Sequence, residues 1–146
     1  MKRCLLLGFA ITIPLIAGAD QACVWMNAAT AAGILDGAVE MTIAYPMTCE
    51  FARQKSPEYS LNIEVGTRIS LRDKCISNPK LLKGIGNEAT ECAQEGRDGQ
   101  RIERLAGRVR DQHFVIRVST HDPSATQASL LEKARRAAEQ VAGNLF

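Results

Sequence analysis

The sequence predicts an α+β domain: an antiparallel sheet with a short N-terminal helix and a long C-terminal helix packed on it, held by two disulfides. Three observations point there. Residues 59–65 alternate strictly, with Leu61, Ile63 and Val65 on one side and Ser60, Asn62 and Glu64 on the other, the period of a strand with a single core face. Near the C-terminus the period changes: Ala128, Leu131, Ala134, Ala138, Val141 and Leu145 recur at steps of three and four, a narrow helical stripe. Four cysteines, Cys23, Cys49, Cys75 and Cys92, follow an export-type leader, an even number suited to pairing in an oxidising compartment.

The leader has three parts. Lys2 and Arg3 open it, an apolar run extends from Leu5 to Ile16, and Ala17-Gly18-Ala19 supplies the small residues signal peptidase needs. The run falls short of the roughly 20 apolar residues of a spanning helix. Residues 1–19 are therefore expected to form a signal peptide cleaved after Ala19, and residues 20–146 a single domain. Asp20, Gln21 and Ala22 match a lipidation signal at Cys23 poorly, so ordinary cleavage and a periplasmic or secreted location are expected. Cleavage removes Lys2 and Arg3 and leaves 16 basic against 16 acidic side chains. That balance provides no field to steer nucleic acid or an anionic membrane, and stable membrane insertion after cleavage is not expected.

The elements follow in chain order. Asn27 is a suitable N-cap for an Ala-rich helix over residues 28–36, with Gly37 expected to end it in the left-handed region. Met41, Ile43 and Tyr45 alternate up to Pro46 as a first strand, Cys49 and Phe51 as a short second one, and residues 59–65 as a third. Residues 67–83 read as a short helix or an irregular crossover. Residues 89–93 read as a strand, Gly96-Arg97-Asp98-Gly99 as a turn, and residues 101–109 and 113–119 as a hairpin around Arg110-Asp111-Gln112. Within that hairpin Leu105, Gly107 and Val109 share one face, as do Phe114, Ile116 and Val118. Asp122 is expected to cap the last helix with Pro123 at its first position, and Glu132, Lys133, Arg135, Arg136 and Glu139 to lie on its solvated sides.

The cysteines are expected to be structural. Cys4 leaves with the leader, and the pairing Cys23–Cys49 with Cys75–Cys92 closes the shortest sequential loops. No Cys-x₂₋₄-Cys spacing favours a zinc site, and no Cys-x-x-Cys favours redox catalysis. Gly84-Ile85-Gly86-Asn87-Glu88-Ala89 fits a dinucleotide fingerprint in letters only, because a strand follows where a helix is required; its glycines suit a tight entry into that strand. No cofactor is expected. His113 and His121 are general-base candidates by type, but neither has a nucleophile in a recognisable setting. Arg101, Arg104, Arg108 and Arg110 form the core of a basic stretch that also holds Arg97 and Arg117. The stretch is a candidate partner face, weighed against a solvated sheet face with cross-strand ion pairs, which is favoured.

Several short patterns recur together: Cys23, the Ala-Ala-Gly-Ile-Leu-Asp-Gly helix end, Cys49-Glu-Phe51, Gly84-Ile-Gly-Asn-Glu-Ala89, and Gly107-Arg-Val-Arg-Asp-Gln-His-Phe114 before a closing helix. In this order the chain resembles small exported bacterial domains of unknown function best known from actinobacterial lipoproteins. The resemblance implies an α+β fold, helices packed on an antiparallel sheet, and a cysteine pair joining the first helix region to an early strand. It implies no catalytic residues. The chain departs from the pattern in lacking a convincing lipidation cysteine, in its second cysteine pair and in a short middle segment. The expected function is an exported, non-enzymatic binding domain for a protein or small ligand of the cell envelope. An inhibitor of an extracellular hydrolase, of lysozyme or protease type, is the alternative, and a small hydrolase using His113 or His121 is less favoured.

Overall fold

The computed structural model describes residues 22–67 and 79–146. The leader, Cys75 and most of the segment read as a helix or crossover lie outside those residues. Among the described residues, seven strands form one antiparallel sheet in the order β1-β2-β3-β7-β6-β5-β4. They are β1 (Val39–Tyr45), β2 (Thr48–Arg53), β3 (Tyr59–Gly66), β4 (Lys80–Leu82), β5 (Glu88–Glu95), β6 (Arg101–Val109) and β7 (Gln112–Thr120). Two helices, α1 (Ala28–Leu35) and α2 (Gln127–Leu145), pack on the same face. α1 lies over β1–β3, and α2 lies over β6 and β7. The α+β architecture and both helices agree with the sequence reading; β4 is a short edge strand that reading did not anticipate.

Side-chain alternation explains why the sheet has one greasy face. Cys49, Ile63, Ile116 and Leu105 stand in one cross-strand row, and Phe51, Leu61 and Val118 in the next. All seven are buried. From above, Ala31, Ile34 and Leu35 of α1 and Leu130, Ala134, Ala137, Ala138, Val141 and Ala142 of α2 close the core. The alanines of α2 bring its backbone near the strands. Gly107 serves the same end within the sheet: it pairs with Phe114, and a Cβ there would lie 2.3 Å from that ring.

Three local expectations are corrected. First, the left-handed residue ending α1 is Asp36 (φ 56°), not Gly37. At Gly37 a Cβ would stand 2.5 Å from the Arg53 guanidinium and would push that flexible side chain aside. Asn27 caps the helix as expected, its Oδ1 accepting from Thr30 N at 2.8 Å. Second, the alternation of β1 is interrupted by a bulge between Met41 and Ile43. Met41 stays in register with core Phe51, whereas Tyr45 pairs with Thr48 and is 70% exposed. Third, α2 begins at Gln127, and its N-cap is Thr126, whose Oγ1 accepts from Ser129 N at 3.1 Å. Asp122 makes a preceding turn, accepting from Ser124 N and Oγ at 2.9 and 2.7 Å.

The later start goes with a rotated stripe. Ala128 is exposed, Leu131 and Leu145 are half-buried, and Lys133, expected in solvent, is buried at 9% exposure. Its ammonium donates to Ile34 O at 3.1 Å and to the Asp36 carboxylate, and it lies 5.5 Å from the centre of the Tyr59 ring. Arg136 adds a bond to Gly33 O at 3.2 Å. Two cations of α2 thus satisfy the last carbonyls of α1, where the helix dipole favours positive charge. A lysine stem can cross apolar surface and remain bonded at its tip, which a periodicity of apolar letters does not register.

One disulfide, Cys23–Cys49, joins the segment before α1 to β2, with Cα atoms 5.7 Å apart. Cys92 is disulfide-bonded as well, and Cys75, its expected partner, is outside the described residues, so among those residues one complete bridge is seen where two were expected. None of the described helices is long and apolar enough to cross a membrane.

Candidate functional site

The two faces of β6 divide the arginines that the sequence grouped together. Arg104 and Arg108 share the face away from the helices, while Arg101 has the parity of Leu105, Gly107 and Val109. Arg101 accordingly donates to Ala125 O beside the start of α2. Arg108 is committed to Glu88 Oε1 and to Arg110 O, each at 3.0 Å. Arg110 sits in the β6–β7 turn (φ 54°), its N–H donating to Asn87 Oδ1 at 2.6 Å. Arg104 stands directly opposite Arg117 in a row that continues through Asn62 to Glu50. Burial and the neighbouring Arg117 charge lower its affinity for a proton, and Glu64 partly restores it. The four residues do not share one face: Arg101 lies on the helix-bearing side, Arg104 and Arg108 on the other, and Arg110 in the turn.

The histidines are also apart. His113 lies near the start of β7, paired with Arg108 and Gly66 on the face away from the helices, and its Nδ1 is sealed from solvent without a partner. His121 follows the other end of the strand, roughly 25 Å away along an extended chain. It borders a hollow of about 350 Å³ with Arg53, Tyr59 and Thr120. The loop from Gly84 leads into strand β5, and Gly86 (φ 61°) lies so close to the β6–β7 hairpin that a Cβ would be 2.5 Å from Arg108 O. That loop is a hairpin support. Among the described residues, no group of three or more His, Cys, Asp or Glu side chains is placed to hold a metal ion.

The site with the most chemical character was missed by sequence reasoning. It is a cleft of about 280 Å³ where β4, β5 and β6 pass beneath the first turns of α2. Lys80 pairs with Glu91, Glu91 with Leu105, and Ala93 with Glu103, so Lys80, Glu91, Ala93 and Glu103 all point to the helix-bearing side. Gln127 and Leu131, one turn apart on α2, form the opposite wall. Glu103 is only 2% exposed, and its Oε2 accepts from Gln127 Nε2. Glu91 Oε2 is sealed from solvent and has no hydrogen-bond partner.

The electrostatics follow from these positions. Burial pushes the Glu103 carboxyl up to about 7; the Gln127 bond opposes the rise, Glu91 adds to it, and Lys80 reduces it. Near neutral pH this carboxyl is divided between its acid and its anion, so it can donate a hydrogen bond, accept one, or hold a cation. A signal for it was present in the sequence: Glu103 is two residues before Leu105, on the parity already assigned to the core. It was hidden because it stands among the arginines of the basic stretch, which was favoured as a solvated sheet face.

Set against models of protein families, curated proteins and solved structures, the chain finds no match in any of the three.

Proposed function

We propose that this chain is an exported, non-enzymatic binding domain whose receptor is the cleft between β4–β6 and the start of α2. The observation that carries the reading is the conjunction of open volume with Glu103, a carboxyl almost withdrawn from water at its floor. Small-ligand sites pair apolar walls with a few converging polar groups, and here Ala93 and Leu131 accompany Glu91, Glu103 and Gln127. The tripartite leader, the Cys23–Cys49 bridge and the resemblance to exported actinobacterial domains support a periplasmic or secreted location. Balanced charge disfavours nucleic acid as partner.

The test is amide chemical-shift mapping of the folded protein titrated with a fractionated small-molecule extract of the cell envelope. Shifts are expected in β5, β6 and the first turn of α2. Shifts confined to other surfaces would overturn the assignment of the cleft. The mass of the protein recovered from the periplasmic fraction tests the location, with cleavage after Ala19 as the expected result.

The inhibitor reading has an observation of its own. The β1–β2 turn presents Tyr45 at 70% and Met47 at 49% exposure, with Met47 O held by Val65 N at 2.9 Å. Such a fixed apolar tip is suited to entering a hydrolase cleft. Lysozyme and protease assays with the wild type and a Tyr45→Ser, Met47→Ser double variant test it; absence of wild-type inhibition at micromolar concentration eliminates it.

A further inference from the structure

We infer that the cleft beneath α2 takes a small organic cation, a primary ammonium or guanidinium group carried on a short aliphatic stem. The inference rests on the cleft being a ligand site and adds the class of ligand. Glu91 Oε2 is shielded from solvent and unbonded, so neither Gln127 nor Lys80 satisfies it. A sheltered carboxyl oxygen without a donor is costly, and an N–H-rich cation entering the cleft supplies one. Glu103 lies on the adjoining strand with its side chain on the same side, beside Ala93, the cross-strand partner of Glu103. Two carboxyl groups therefore converge on one volume of about 280 Å³, small for a ligand pocket and suited to a compact guest. Leu131 and Ala93 give a short hydrocarbon stem an apolar wall.

The cations around the pair stand at the rim or are engaged elsewhere. Lys80, on β4, is exposed at the rim opposite Glu91. Arg101, two residues along β6, is turned to Ala125 O, and Glu95 faces Arg101 across the strands. α2 contributes Gln127 and Leu131, both uncharged, to the cleft wall. A cation seated between the carboxyls favours the ionised form of Glu103, so binding expels the proton that this residue holds in the empty cleft. Affinity then rises with pH through neutrality, and in slightly acid buffer uptake of the cation is coupled to proton release.

The experiment is calorimetric titration of the intact folded domain with n-butylammonium chloride, sodium butyrate and 1-butanol, at pH 5.5 and pH 8.5. The ammonium salt is expected to bind with a dissociation constant on the order of millimolar, as befits so few atoms, and about tenfold more tightly at the higher pH. Repeating the acid titration in buffers of different ionisation enthalpy is expected to reveal proton release. Glu103→Gln should remove the pH dependence. Glu91→Gln, at a half-buried and more tolerant position, should weaken binding about tenfold without altering the far-UV circular dichroism. Equal or tighter binding of butyrate or butanol in the cleft overturns the cationic class and leaves the cleft as a receptor. Failure of all three to shift the amides of β5, β6 and α2 at 50-fold the order-of-magnitude constant, roughly 50 mM, overturns both.

Discussion

Among the described residues, an amine and a carboxyl are buried under the helices of this domain, Lys133 and Glu103, and they are treated in opposite ways. Lys133, beside α1, has a carbonyl, a carboxylate and an aromatic face as partners. Glu103, toward the other end of the same sheet face, has one amide, a second carboxyl nearby and an open cleft beside it. The Lys133 end is also fastened by the Cys23–Cys49 bridge. The difference separates stability from site. A buried charge whose bonds are complete ties elements together, whereas one whose surroundings keep it partly neutral costs stability when it ionises and leaves capacity for another group.

The largest expected effect sharpens the fastened side. A Cys23→Ser, Cys49→Ser double variant opens a crosslink spanning a sequence separation of 26. On loop-closure entropy this removes roughly 3.5 kcal/mol, measurable as a lower midpoint in urea. A loss below about 1 kcal/mol would mean that the α1 end is held by packing alone.

Nearly as large is the pH dependence at the other side. The Glu103 carboxyl is raised in the folded protein from its ordinary 4.5 to about 7, so folding favours its protonated form. That contribution is fully present below the unfolded value, declines as pH rises from about 4.5 to about 7, and is gone above. Across that window the wild type should lose about 3 kcal/mol from this group, and Glu103→Gln should lose none of it. Denaturation of both proteins at pH 4.5 and pH 8 checks this, and parallel pH profiles would break the comparison.

Lys133→Met comes next. It keeps much of the buried stem but removes the donor to Ile34 O and the partner of Asp36, and about 2 kcal/mol of stability should be lost. Hydrogen exchange is expected to accelerate in the last turn of α1 before it does so in the sheet. The smallest effect belongs to Asp36→Asn. Asp36 is largely exposed, and the Lys133 bond holds its carboxyl below the usual range, opposed by burial and aided by the nearby charges of Lys133, Arg136 and Arg53. Its contribution is present above the unfolded value of 3.8 and lost as pH falls through the lower folded value. Because solvent screens the pair, the variant should cost under about 1 kcal/mol at neutral pH, and its difference from wild type should vanish in strong acid.

Local periodicity carried most of the sheet. The pattern of β3, the β6–β7 hairpin and the Asn27 cap were readable because period-two alternation and N-cap chemistry are decided within a few residues. The bulge in β1 was not readable, because an extra residue is defined only against the partner strand, and it sets Tyr45 on the face opposite to that of Met41. The start of α2 was misplaced for a related reason. Asp122-Pro123 is a good helix opening and an equally good turn, and the docking of Arg101 on Ala125 O and the Thr126 cap accompany the turn.

The letters alone determined the alternation that makes one face of the sheet apolar and the helical period of α2, since each depends on neighbours in sequence. Tertiary structure alone decided which charges are buried and what they meet. Lys133 and Glu103 look like ordinary surface residues until distant elements are brought over them: α1, 97 residues before Lys133 at Asp36, and α2, 24 residues after Glu103 at Gln127. The energy of a charge depends on the dielectric and the partners around it, and in a folded chain both are supplied mainly by segments remote in sequence.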